Sequence, residues 1–407
     1  MMKYLHFIIW GALLMIAACQ TRTHQIQQKV MIDDDGMLII NGQRTFIIGS
    51  YHLAKSGQPF QELADTGFNL VHVAADSQQL NRAAAANLYA WISIGTIDTT
   101  DPEQSRNKLK ALVTKFKDHL ALLIWESVDE PAWTWNKAEC RVPPEPFIEG
   151  YELVKSIDPQ HVMYMNHAPV NLVSTLRKYN AGTDIVAWDI YPVVPCGLPP
   201  MYALFPDGMQ GDLLNTTISQ VGEYADKMRC VAGANKPLFA VLQGFAWEAL
   251  RNKDRDESKI LYPTYEESRF MAFNAIIHGV NGINYWGTAY TPQPSEFWTT
   301  LKKVVAELAS LQPVLSARTI QLKLNQTYHE MGHSLDAGVE ILAKKANNSI
   351  YLITANADKN PVKVTLSGLT GYNRAKVHGE NRAIQIGNGA MIESYAPFDV
   401  HIYQLEK

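Results

Sequence analysis

The run Trp125-Glu-Ser-Val-Asp-Glu-Pro131 sets three carboxylates directly behind an apolar stretch. A carboxyl group walled by apolar side chains and facing a second carboxylate has a raised pKa. It therefore keeps its proton near neutral pH and can pass it to a leaving group. Glu130 suits that task best, because Asp129 stands beside it and Trp125, Trp133 and Trp135 lie close by in the chain. Cleavage of a glycosidic bond needs such an acid on the leaving oxygen, and a second group that attacks, activates water or stabilises charge. The same Asp129-Glu130 pair could instead cap a helix opening at Pro131.

These residues need a scaffold, and the chain supplies a regular one. Short apolar runs at Phe46–Ser50, Leu70–Ala74, Leu88–Ile94, Leu120–Trp125, Val162–Asn166, Ile185–Asp189, Leu238–Leu242 and Gly282–Trp286 alternate with amphipathic stretches such as Pro102–Phe116, Glu145–Ile157 and Tyr265–His278. Eight strand-then-helix units predict an α/β fold closed into a (β/α)8 TIM barrel, which keeps its chemistry at the C-terminal ends of its strands. Polar and ionisable residues fall there. Strand one runs out into Tyr51 and His52, strand five into Asn166 and His167, and strand six into Asp189 and Tyr191. Strand seven runs into Gln243, Trp247 and Glu248, and strand eight ends in Tyr285 and Trp286. Trp286, Trp247, Trp188 and Trp125 are candidates for stacking on sugar rings or, equally, for barrel packing. Asn41-Gly42 predicts a tight hairpin ahead of strand one. After Pro313 the pattern changes to strands without intervening helices, at Val339–Lys344, Ser349–Thr354, Val362–Leu366 and Val400–Leu405, which predicts a small antiparallel β-sandwich over 313–407 behind a barrel over 30–312.

Asp129-Glu130-Pro131 at the end of strand four resembles the Asn-Glu-Pro of clan-A glycoside hydrolases, with Asp129 in the asparagine's place. The opening Gly36-Met-Leu-Ile-Ile-Asn-Gly-Gln-Arg-Thr-Phe-Ile-Ile-Gly49 is similar to the segment leading many of these enzymes into strand one. The resemblance covers roughly residues 30 to 310. It implies a carbohydrate substrate, Glu130 as acid/base, a nucleophile on strand seven, and Trp286 as the floor beneath the cleaved sugar. Strand seven departs from the pattern: Lys236-Pro-Leu-Phe-Ala-Val-Leu-Gln243 ends in an amide where the family has a glutamate. Three routes stay open. Glu248 could reach back as the nucleophile, or Asp189 could serve as base in an inverting reaction. Alternatively, the substrate's own acetamido group could attack, with Asp129 orienting it and Gln243 and Tyr191 as hydrogen-bond partners, since the Asp-Glu pair resembles that of the substrate-assisted hexosaminidases. A retired barrel that binds surface glycans without cleaving them is a further reading. The site expected from sequence thus comprises Glu130, Asp129, Glu248 and Asp189 for catalysis. Gln243, Tyr191, Trp286, Tyr285, His52, Trp125, Trp247, Asn166 and His167 are expected to bind substrate, with no cofactor or metal. Glu267 and Arg269 could pair behind the site or at the surface.

His329-Glu-Met-Gly-His333 matches the zincin pattern, which works when both histidines lie one helical turn apart and Glu330 acts as base. Its setting ahead of a run of strands, with Gly332 inside it, speaks against a metalloprotease. At the N-terminus Lys3 precedes the apolar run Leu5 to Ala18, shorter than the roughly 20 residues that span a bilayer. Ile16-Ala-Ala-Cys19 resembles a lipobox. This predicts a signal peptide over 1–18, lipidation at Cys19, a polar tether over 19–29 and, with Gln20 rather than aspartate next, an outer-membrane address. Cys140, Cys196 and Cys230 remain, with Cys140–Cys196 as the preferred bridge in an oxidising compartment. A net charge of -4 gives no electrostatic case for nucleic acid. The chain is 47% hydrophobic and 19% charged, which suits a large core rather than disorder.

Overall fold

The computed structural model describes residues 29–134, 139–195, 218–330 and 338–407. Within them eight parallel strands close into a barrel: β1 (Ile47–Ser50), β2 (Leu70–His72), β3 (Tyr89–Ser93), β4 (Leu122–Glu126), β5 (Val162–His167), β6 (Ile185–Asp189), β7 (Leu238–Gln243) and β8 (Gly282–Trp286). Each lies within one of the predicted apolar runs or overruns it by a residue or two. Closure is made by β8 on β1, where Tyr285 pairs with Ser50.

Helices α1 (Pro59–Thr66), α2 (Ser77–Ala85), α3 (Pro102–Phe116), α4 (Pro144–Ile157), α5 (Val173–Leu176), α6 (Gln220–Ala232), α7 (Tyr265–Ile277) and α8 (Glu296–Ser310) cover the barrel. Their starts follow local chemistry. Asp101 accepts the Gln104 amide ahead of Pro102, and Thr264 with Glu267 closes a capping box at α7. Glu267 is thereby occupied, and Arg269 pairs instead with Glu307 and the Val400 carbonyl. The two residues do not pair with each other.

Alternation along each strand decides what the barrel mouth displays. Ile47, Leu70, Trp91, Ile124, Tyr164, Ala187, Phe239 and Val241 pack together inside the barrel. Their neighbours Ile48, Val71, Ile92, Trp125, Met165, Trp188, Leu242 and Tyr285 pack outward against the helices. The floor is sealed by a small antiparallel sheet, Val30–Ile32, Leu38–Ile40 and Gln43–Thr45, whose Leu38 and Ile40 join the inner cluster. The turn that builds it has Asn41 and Gly42 both at positive φ, 51° and 84°, the backbone that Asn-Gly favours.

After the short helix α9 (Gln312–Leu315) come β9 (Asn325–Glu330), β10 (Val339–Ala346), β11 (Ser349–Asn356), β12 (Val362–Ser367), β13 (Arg374–Val377), β14 (Ala383–Gln385), β15 (Ala390–Tyr395) and β16 (Val400–Glu406). They form a three-stranded sheet (β9-β12-β15) and a five-stranded sheet (β10-β11-β16-β13-β14), the predicted antiparallel sandwich. Val339, Leu352, Val364, Leu366 and Tyr403 fill it. Ile353, Ala355, Val400 and Ile402 belong to the barrel's outer core instead, so α7 is buried between two partners. This explains a helix as apolar as Phe270-Met-Ala-Phe273.

The zincin reading fails on this geometry. His329 and Glu330 end β9, which pairs antiparallel with β12, and the His329 ring bonds to Thr365 Oγ1 at 2.6 Å. An extended backbone cannot set metal ligands one helical turn apart. His333 lies outside the described residues, as do Cys19 with the N-terminal tether, Trp135, and Cys196 of the expected disulfide.

Candidate active site

The carboxylates meet at the mouth of the barrel, above β4, β5 and β6. No helix begins at Pro131: residues 131–134 are turn and irregular backbone, and the next described helix, α4, starts at Pro144. The Asp129-Glu130 pair is therefore not a helix cap. Glu130 has φ 47°, a left-handed conformation that is uncommon outside glycine and costs on the order of 1–3 kcal/mol. It is held there from both sides. Its amide donates to the Asn166 carbonyl at 3.0 Å, and its carbonyl accepts the Trp133 amide at 3.0 Å.

Asn166 organises the cluster. It faces inward on β5, is 4% exposed, and its Nδ2 donates to Asp129 Oδ1 at 3.1 Å and to Asp189 Oδ1 at 2.9 Å. Glu130 hydrogen-bonds to Asp189 and feels the charge of Asp129. Arg141 donates to the Asp129 carbonyl at 2.8 Å and lies 3.3 Å from Glu130 Oε2. Desolvation first, then the charges of Asp189 and Asp129, push the Glu130 carboxyl well above its ordinary value, with only Arg141 opposing. Asp129 is raised as well, chiefly by desolvation. It is nevertheless open to water, as a group in the floor of a concave cleft would be.

An aromatic wall faces this cluster. Tyr191 stacks on Trp286 at 5.6 Å and 26°. Trp286 in turn meets His52 at 6.1 Å and Tyr290 at 5.6 Å. Both Trp286 and Tyr191 remain partly exposed. Behind them Trp247 is 7% exposed, donates its indole N–H to the Tyr191 carbonyl at 3.0 Å, and packs with Phe245 at 5.2 Å. It supports the wall from behind.

Several residues expected at the site stand elsewhere, mostly because of strand parity. Trp125 points outward, is fully buried, and donates to Asp158 at 2.7 Å. Tyr285 packs edge-on against Phe68. His167 is buried beside Tyr179, where desolvation holds its ring at about 3, neutral at physiological pH. Trp188 belongs to the same outer layer. Gln243 does face inward, but its amide is spent on backbone. Oε1 accepts the Val193 amide at 3.0 Å, and Nε2 donates to the Val193 and Phe245 carbonyls at 3.0 and 3.1 Å. In place of a nucleophile, β7 offers a clamp on the loop after β6. Glu248 is 2% exposed and is turned into its own loop, bonded to the Asp256 amide at 2.7 Å and paired with Arg251 at 3.1 Å.

Sequence reasoning missed a second polar group on the other side of the mouth. Glu126 ends β4 and pairs in register with Ser93. Its Oε2 accepts the Trp91 indole N–H at 3.2 Å and the Ser93 hydroxyl in a short contact. Burial raises its carboxyl to about 7 against the lowering effect of these donors. Tyr51 also bonds to it and, at 2.7 Å, to Tyr164. The signal available beforehand was Glu126 itself, a carboxylate closing an apolar strand at an inward position.

No family model and no curated protein matches the chain. Solved structures do. A glycoside hydrolase superimposes with a TM-score of 0.63 at 14% identity, over 94% of this chain and 97% of that one. A β-L-arabinopyranosidase from Geobacillus stearothermophilus, in complex with arabinose, gives 0.57 at 9% identity, over 89% and 97%. An α-amylase from Geobacillus thermoleovorans, complexed with acarbose, gives 0.53 at 9% identity, over 90% and 100%. The chain has the (β/α)8 fold of glycoside hydrolases, as the likeness to clan A implied. At such identities the likeness speaks for the fold alone.

Proposed function

We propose that this protein hydrolyses glycosidic bonds, with Glu130 as the acid that protonates the leaving oxygen. The observation that carries the reading is the Glu130–Asp189 contact. Two carboxyls in hydrogen-bond contact cannot both be ionised, so one keeps a proton near neutral pH. The stacked Tyr191 and Trp286 opposite offer the apolar face that a sugar ring takes. A screen of wild type and Glu130→Gln against a glycan library, with NMR of the released anomer, tests it. Reducing ends released by wild type and lost in the variant support the reading. Oligosaccharide binding without turnover in either would assign a non-catalytic glycan-binding protein.

The second group follows from spacing. Retaining pairs stand about 5–5.5 Å apart and inverting pairs about 6.5–9.5 Å, and Asp189 in contact with Glu130 fits neither. Glu248 is committed to Arg251 and Asp256. Substrate-assisted attack needs no protein nucleophile, and Asp129, open to the cleft and steered by Asn166, is suited to orient an acetamido group beside Tyr191. We therefore propose 2-acetamido glycosides as substrates. Cleavage of nitrophenyl N-acetylglucosaminide or N-acetylgalactosaminide with no cleavage of the matching glucoside or galactoside tests this step. The lipobox-like Cys19 leads us to propose that the enzyme is anchored by lipid to the bacterial outer membrane. Radiolabelled palmitate incorporation that is lost in Cys19→Ala tests that.

A further inference from the structure

Donor chemistry on the β2–β4 side of the mouth fixes a direction for each hydrogen bond. Trp91 Nε1 can only donate, and it donates to Glu126 Oε2. Above the value of about 7 to which burial raises it, the Glu126 carboxyl is ionised and also accepts the Ser93 hydroxyl proton, in the short Ser93–Glu126 bond. Ser93 has one proton and has spent it. His72 Nε2 lies 2.9 Å from Ser93 Oγ, so the imidazole must be the donor there. The ring is neutral, because desolvation and the nearby His52 hold it at about 4. A neutral imidazole with N–H at Nε2 has a bare lone pair at Nδ1. The His72 side chain is 30% exposed. Among the described residues its Nδ1 has no hydrogen-bond partner, and it is not among the buried atoms that lack one. Glu126 feels the charge of Asp129, so this relay and the acid cluster share one mouth.

We infer that His72 is a substrate-binding residue whose Nδ1 accepts a hydroxyl hydrogen of the bound sugar, with Ser93 and Glu126 as positioning residues that hold the ring in the accepting tautomer. The inference rests on the carbohydrate reading above, and adds a specificity element: the sugar must present a donor at this point. A deoxy sugar or a methyl ether would not be held there.

The test is long-range nitrogen–proton NMR of the histidine rings at pH 8, with the His72 signals assigned by His72→Gln. Wild type should show His72 as the Nε2–H tautomer, and Ser93→Ala should show a tautomer mixture. Glucose, galactose, N-acetylglucosamine and N,N′-diacetylchitobiose are then added to Glu130→Gln protein, with tryptophan fluorescence as an independent report of binding. A probe that changes fluorescence should also move the His72 Nδ1 resonance. His72→Ala should weaken its binding about five- to tenfold, the worth of roughly one neutral hydrogen bond. A probe that changes fluorescence, leaves Nδ1 unmoved and binds His72→Ala equally well overturns the inference and spares the carbohydrate reading. If no probe binds and no glycoside is cleaved, the carbohydrate reading itself fails and takes this one with it.

Discussion

Glu130 and Asp189 meet carboxyl to carboxyl at the barrel mouth, the first on the loop after β4 and the second closing β6. Burial and the charges of Asp189 and Asp129 hold the Glu130 carboxyl up, and Asn166 donates to Asp189 at 2.9 Å. Replacing Asp189 with asparagine removes a negative charge while keeping a hydrogen-bond acceptor. The Glu130 pKa should fall by roughly one to two units. Because a general acid works only while protonated, the alkaline limb of the pH–rate profile should move down by the same amount. An unmoved limb would show that Asp189 does not tune Glu130.

Arg141 acts in the opposite sense, since its charge is the one that lowers Glu130. Arg141→Met should shift the alkaline limb upward by about one unit. Turnover at the plateau should fall, because the bond to the Asp129 carbonyl is lost as well. Opposite shifts in these two variants, read from the same kcat/KM profile, would separate a charge effect from general damage.

Restoring a glutamate at the end of β7 should not restore a nucleophile. In Gln243→Glu a carboxylate would face the Val193 and Phe245 carbonyls that the amide now bonds. The expected result is a loss of stability of roughly 3 kcal/mol by denaturant titration, with no gain in activity.

Glu248→Gln tests the remaining nucleophile. With Glu248 occupied by Arg251 and the Asp256 amide, kcat should stay within about tenfold of wild type and stability should drop by about 1–3 kcal/mol. A loss of about 10⁴-fold or more in kcat would return Glu248 to the chemistry.

Acid stability should depend on Asp158, 2% exposed behind β4. Burial alone would raise its carboxyl, but bonds from His161 and Trp125 outweigh that and hold it at about 2. A depressed folded pKa gives stability that is complete above the ordinary carboxyl range near 4 and is lost as pH falls through about 2. Roughly 2 kcal/mol is at stake. Asp158→Asn should therefore lower the unfolding free energy at pH 7 and flatten its dependence between pH 4 and pH 2.

The barrel was legible because its strands are apolar on both faces and stand out as runs, as at Leu238–Leu242 and Gly282–Trp286. Parity within a run was not legible: it took the inner partners Trp91 and Tyr164 to turn Trp125, Trp188, Tyr285 and His167 outward. The strands β9, β13, β14 and β15 escaped notice because polar residues interrupt each of them, and β9 holds a single apolar residue, Tyr328. Arg374-Ala-Lys-Val377 buries two residues of four. Glu130 could be singled out by its local motif, but not the Glu126–Ser93–His72 relay, whose members come from three separate strands and meet only when the barrel closes.

The central claim is that Glu130 protonates the leaving oxygen. Its most direct test is the ratio of wild-type to Glu130→Gln rates on two substrates with the same sugar. One has a natural sugar alcohol as leaving group, and the other has nitrophenol, which departs without a proton. If Glu130 is the acid, the ratio should be about 10³ for the natural glycoside and below about 10 for the nitrophenyl glycoside. Equal losses on both substrates, or no loss on either, would contradict it.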